Sequence, residues 1–259
     1  MRELDRTPLQ GPPTKPSQPP ARVAVVGPGR LGMLLARGMR AAGLEVIGPL
    51  GRGAAPTGVD AVLLCVPDSQ IASAACLVPV GPLVGHCSGA TALDVLEPHE
   101  AFSLHPLMTV TASDGPSRLR GAGAAIAGST ARALTAAEGL ALALGLRPVQ
   151  IAESDRPAYH AAASIASNFL VTLQAAAEQL LATTGADREL LVGLVRATVE
   201  NWAKLGPAGA LTGPVARGDE ATIARQRAAV SERTPDLLAL FDELVAATRA
   251  VAGAEAVPA

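Results

Sequence analysis

Residues 23–32, V-A-V-V-G-P-G-R-L-G, constrain this chain more than any other stretch. Three valines and an alanine run straight into Gly27, Gly29 and Gly32, and Leu31, Leu34, Leu35 and Met39 then recur at helical spacing up to a stop at Gly43. A short buried strand, a tight turn and a helix is the order that this pattern dictates. Each glycine then has a physical role. Gly27 permits the turn, Gly29 lets the backbone approach an anion at the helix N-terminus, and Gly32 lets helix and strand pack closely. Gly27, Pro28, Gly29, Arg30, Leu31 and Gly32 are therefore expected to cradle the pyrophosphate of a dinucleotide, the alternative being a plain strand-to-helix turn.

The same grammar continues along the chain. LEVIG reads as a second strand and residues 59–67 as a third, and further strands are expected within 82–89, at 101–106 and 123–128, and in RPVQI after a helix at 130–146. Strands alternating with helices predict a mostly parallel sheet with helices on both faces. From Asp155 the chain turns strand-poor and Ala/Leu-rich. One helix is expected over 156–185, with Pro157 in its first turn and Gly185 ending it. A second follows over 187–206, then an irregular segment at 207–219 and helices near 220–231 and 235–252. The fold class expected is α/β: a dinucleotide-binding domain over 21–152, then an all-helical domain over 153–255. The proline-rich residues 1–20 read as a disordered tail, neither signal peptide nor anchor.

Composition excludes several partners. The formal charge is −2 without any run of Lys and Arg, so no nucleic-acid footprint is present. No stretch reaches the eighteen or so apolar residues of a membrane helix, so a soluble protein is expected. Cys65, Cys76 and Cys87 are odd in number and lack C-x-x-C spacing, which points to reduced thiols in a cytoplasm, with Cys65 and Cys87 packed in strands. Two lysines, Lys15 and Lys204, stand against nineteen arginines, so the available cations are mostly guanidinium.

An NAD site usually carries an acid at the end of the second strand, but here that place reads V-I-G-P-L-G-R, residues 46–52. Arg52 can instead pair with a 2′-phosphate, helped by Arg30, which favours NADP; the alternative is a solvated loop arginine. Val66 and Pro67, in the C-V-P-D-S turn containing Asp68, and Ser88 close later strands where open α/β sheets line their crevice. His160, Ser164 and Asn168 lie at helical spacing, a polar stripe on an apolar helix that either lines a site or packs between domains. His105, before Pro106 at a strand end, is a second proton-transfer candidate, or a plain strand terminator. His86 reads as core and His99 as an exposed turn residue, and no set of ligands has metal spacing. In A-L-T-G-P-V-A-R-G-D, Thr212, Arg217 and Asp219 lie on a loop that either closes over a substrate, with Arg217 gripping a carboxylate, or simply connects helices, with Asp219 as the cap.

The glycine turn, L-C-V-P-D-S, S-L-H-P, Y-H-A-A-A-S-I-A-S-N and A-L-T-G-P-V-A-R-G-D together resemble a bacterial two-domain family with a Rossmann-like domain and a C-terminal domain of unknown function. More distantly the chain is similar to ketopantoate reductases, pyrroline-carboxylate reductases and the 6-phosphogluconate and 3-hydroxyisobutyrate dehydrogenases. Ketopantoate reductases carry a catalytic lysine followed four residues later by Asn. By that resemblance His160 stands in the place of the lysine, Ser164 in that of the Asn, Asn168 in that of a later amide, and Asp219 in that of a loop acid. The missing lysine bears on the reaction and not on the cofactor. The resemblance implies an NADP-dependent reductase of a small 2-oxo acid, ketopantoate-like, with His160 protonating the alkoxide, Asn168 holding the substrate oxygen and Arg217 its carboxylate. The alternatives are an imine reductase of the pyrroline-carboxylate type and a non-catalytic NADP-binding regulatory protein. A homodimer through the helical domain is expected, because that region has few aromatic residues and its helix over 158–183 is apolar around much of its circumference. The alternative is that the chain's own helices and sheet cover it.

Overall fold

The computed structural model describes residues 18–253, so all but the last three residues of the expected tail lie outside the described residues. Seven strands form one sheet: β1 (Arg22–Val26), β2 (Glu45–Leu50), β3 (Ala61–Leu64), β4 (Leu83–His86), β5 (Ala101–Pro106), β6 (Gly123–Gly128) and β7 (Arg147–Gln150). Their spatial order is β2-β1-β3-β4-β5-β6-β7. Every neighbouring pair is parallel except β5 and β6, so the mostly parallel α/β architecture is present, with β6 and β7 reversed.

Side chains alternate across the pleat, and that alternation makes two cores. Val23, Val25, Leu63 and Phe102 pack with α1 (Arg30–Ala41) and α3 (Ala131–Ala143) on one face, while Ala24, Val26, Val62 and Leu64 pack with α2 (Ile71–Ala75) on the other. Helix α1 ends just before Gly43, whose φ of 86° suits a glycine stop. His86 is fully buried on β4 as expected. His99 is a correction: it is buried, because its turn folds back on α2 and its Nε2 lies 3.1 Å from the Ala75 carbonyl oxygen. Cys65 and Cys87 correct the expectation that they sit inside strands; each is the residue just after one, β3 and β4 respectively, and their sulfurs lie 3.6 Å apart.

The chain divides into two compact units that meet at Ile165 and Ala166. The first holds the sheet and α4 (Arg156–Ser164), which carries Pro157 in its opening turn. The single helix expected over 156–185 is instead α4, a π-helical turn at Ile165–Phe169 and α5 (Leu170–Ala182). The second unit adds α6 (Glu189–Ala210), α7 (Glu220–Arg233) and α8 (Leu238–Gly253). Residues 207–210, expected to be irregular, continue α6 beyond a kink at Gly206, whose φ of 72° breaks the helix before Pro207. A bidentate pair from Arg227 to Asp242, at 2.8 Å for both contacts, ties α7 to α8. Among the described residues no helix is long and apolar enough to cross a membrane.

Candidate active site

β2 and β3 flank β1 on opposite sides, so chain connections diverge at the C-terminal end of β1. Ligands of open α/β sheets lie at such a divergence. A cleft of ≈ 690 Å³ opens there, lined by Val26–Gly29 at the end of β1, Gly51–Ala54 after β2, Cys65–Pro67 after β3 and the α2 side. It brings together Gly27, Pro28, Gly29, Arg52, Val66 and Pro67 from the expected cofactor set.

The three glycines divide as the turn requires. At Gly27, with φ at 112°, a Cβ would collide with the Cys65 carbonyl, and at Gly32 it would collide with the Gly27 carbonyl. At Gly29 it would meet no protein atom within 4 Å. Gly29 is therefore not required by packing, and the open space above it, at the start of a twelve-residue helix with no side-chain cap, fits an anionic group. Arg30 opens α1 on its exposed side, Leu31 packs against the core, and neither lines the cleft. Ser88 is turned to another task. Its Oγ donates to Asp68 Oδ2 at 2.8 Å and accepts the amides of Ala90 and Thr91 at 3.2 and 3.0 Å, which folds the turn after β4 against the one after β3.

Along the same sheet edge, β4 and β5 present a second polar group. His86 and Ser103 are register partners, and His105 follows two residues later, so all three share one face of the sheet. Helix α4 answers with Arg156, Tyr159 and His160 at spacings of three and four. Arg156 is buried; it donates through Nη2 to Ser103 Oγ at 2.5 Å and through Nε to Glu153 Oε1 at 2.7 Å, while Glu153 Oε2 accepts the Leu93 amide at 3.1 Å. Tyr159 Oη lies 2.8 Å from His105 Nδ1, with the two rings edge to face. The His105 and His160 ring centroids are 6.2 Å apart. Gly89 makes this closeness possible: a Cβ there would lie 2.8–2.9 Å from atoms of both imidazoles.

The charges around these groups set their protonation. Burial pushes His105 down to about 4, reinforced by the positive charges of His160 and Arg156. Burial and then Arg156 also lower His86, and burial raises Tyr159. His105, which its surroundings keep neutral, thus stands beside an exposed His160.

The remaining expected residues are placed as follows. Ser164 is the half-buried last residue of α4. Asn168 lies in the π-helical turn, and Thr212 and Arg217 are exposed, all three in the second unit. Asp219, in the same unit, caps α7 by accepting the Thr222 amide at 3.0 Å, and the Thr222 side chain together with that amide holds its carboxyl below the usual range. No cluster of three metal-ligating side chains occurs among the described residues. The sequence reading missed Arg156 and Tyr159. Their one signal is that Arg156, Tyr159 and His160 share a helix face, and nothing in the sequence tells that this face meets β5.

The model of a domain of unknown function, DUF2520, matches residues 123–248. None of the curated proteins matches this chain in sequence. Among solved structures, a proposed NADP oxidoreductase from Bacteroides fragilis is 18% identical with a TM-score of 0.75, over 91% of this chain and 100% of its own. A protein from Thermotoga maritima is 24% identical with a TM-score of 0.75, over 89% of this chain and 98% of its own. The 1-pyrroline-5-carboxylate reductase of Streptococcus pyogenes is 14% identical with a TM-score of 0.57, over 88% of this chain and 98% of its own. At these identities the likeness is one of fold, and the fold it shows is a Rossmann-type sheet followed by a helical region.

Proposed function

We propose that this chain is an NADP-dependent oxidoreductase that reduces a small carbonyl substrate, a 2-oxo acid of the ketopantoate type. The carrying observation is the succession of the glycine-lined cleft at the ends of β1 and β3 and the His105–Tyr159–His160 group, set by the end of β5 and by α4, along the same side of one sheet. Bound in the cleft, a nicotinamide dinucleotide supplies a hydride for the carbonyl carbon. The first-turn amides of α1 and the bare Gly29 backbone hold its phosphates, and Arg52 on the rim pairs with a 2′-phosphate. Neutral His105 donates a hydrogen bond to the substrate oxygen. His160, open to water, delivers the proton that turns the developing alkoxide into the alcohol.

Reduction of a carbon–nitrogen double bond is the second reading. It is favoured by the likeness to a pyrroline-carboxylate reductase and to a reductive aminase from Aspergillus terreus, the latter with a TM-score of 0.61 at 15% identity. An iminium needs no help with an oxyanion, which suits a site whose cations are guanidinium rather than lysine. NADPH and NADH titrations followed by a panel of 2-oxo acids, aldehydes and cyclic imines test both readings. Preference for NADPH with turnover of a 2-oxo acid is the expected result. Turnover of cyclic imines alone selects the second reading, and tight binding without turnover selects a non-catalytic nucleotide-binding protein.

A further inference from the structure

Helix α4 meets strand β5 through two polar rungs, and the second one has a chemical consequence. Arg156 on Ser103 and Tyr159 on His105 match a helical step of three to a strand step of two. The first rung is buried and anchored by Glu153, so it fixes the depth at which Tyr159 reaches His105. At Tyr159 Oη the contact is with His105 Nδ1, at 2.8 Å. A phenol hydroxyl is a good donor and a weak acceptor, whereas the bare ring nitrogen of a neutral imidazole is a good acceptor. The consistent arrangement has Tyr159 donating to Nδ1, which leaves the proton of the neutral imidazole on Nε2. His105 itself is half-buried, unlike the fully buried His86 on the neighbouring strand.

We propose that Tyr159 is a positioning residue whose hydroxyl locks His105 as the Nε2–H tautomer, so that a fixed N–H donor is presented to the heteroatom of the substrate's double bond. This deepens the reductase reading and rests on it for the substrate, though the tautomer itself is a property of the free protein. The charged and titratable groups that face His105 come from every side of it: His160 and Arg156 on α4, Asp68 after β3 and His86 on β4, with the Tyr159 hydroxyl on its Nδ1. With Tyr159 removed, Nδ1 loses its donor and becomes available for protonation.

The test is long-range proton–nitrogen NMR on the full chain labelled with ¹⁵N-histidine, in which four histidines give four ring systems. His105 is assigned by its loss in His105→Asn. At neutral pH wild-type His105 is expected as a neutral ring with Nδ1 bare and Nε2 protonated. Tyr159→Phe, which keeps the ring and its packing, is expected to mix the two tautomers and raise the His105 midpoint by about one pH unit, a tenfold change in proton affinity. Its NADPH affinity should stay within twofold of wild type. Ser103→Ala loosens the first rung and should produce a weaker form of the same mixing. A protonated Nδ1 in wild type, or a Tyr159→Phe spectrum identical to wild type, overturns the proposal. A locked Nε2–H with no turnover of any carbonyl or imine leaves the tautomer standing and removes only the reductase reading.

Discussion

At the residue scale, the glycine turn separates folding from binding. Gly29 has φ of −70° and ψ of 176°, which alanine adopts freely, and its missing Cβ faces open space. Gly29→Ala should therefore leave thermal stability unchanged while weakening NADPH binding tenfold or more, as titration calorimetry would read. Gly32→Ala drives a methyl into the Gly27 carbonyl and should cost about 1–3 kcal/mol of stability, in line with other overpacked sites. Arg52→Ala should cost NADPH about tenfold in affinity, the scale of one charge-assisted hydrogen bond, and leave NADH unaffected. Equal losses for both cofactors would remove Arg52 from 2′-phosphate recognition.

At the element scale, the strands β4 and β5 and helix α4 enclose imidazoles that the fold holds neutral. His105 has its folded pKa pushed down from 6.5 to about 4, so the folded state disfavours its protonated form. The stability this contributes is complete above the unfolded value and is lost as pH falls from there through about 4. For His105 it is on the order of 3 kcal/mol, and His86 adds to it in the same direction. Urea unfolding at pH 7.5, 5.5 and 4.5 should show falling midpoints. His105→Asn should flatten that fall without abolishing it, since His86 remains. An unchanged pH dependence in the variant would show that His105 is not held neutral by the fold.

At the scale of the whole molecule, the second unit carries an unusual amount of open apolar surface. Helices α5, α6 and α8 contain no buried residue, and Leu190, Leu194, Trp202 and Leu205 on one face of α6 are 69%, 64%, 57% and 61% exposed. A stripe of that kind on a polar-backed helix calls for a partner surface. We propose that the partner is a second copy of the chain, joined through this unit in a two-fold contact. Light scattering should give twice the 26.0 kDa of one chain, and Leu194→Asp should return it to the single-chain mass. A wild-type mass of 26.0 kDa would end the dimer proposal.

The sequence alone determined what local periodicity and backbone chemistry encode. The unbroken apolar run Val23–Val26, the tight spacing of Gly27, Gly29 and Gly32 and the 3.6-residue recurrence in α1 are short-range signals, and each lies where the sequence puts it. The change to helices after β7 was legible for the same reason. What only the tertiary structure decided are the matters of long-range juxtaposition. The reversal of β6 against β5 has no local code, and neither does the turn that buries His99 against Ala75. The site shows this most plainly: His105 and His160 were each identifiable as polar groups at a strand end and on a helix. That Tyr159 lies on His105, 54 residues away in sequence, and that Arg156 fixes the approach follow from how α4 seats on β5. A side chain's pKa and tautomer are set by what surrounds it in space, and a sequence lists only its neighbours along the chain.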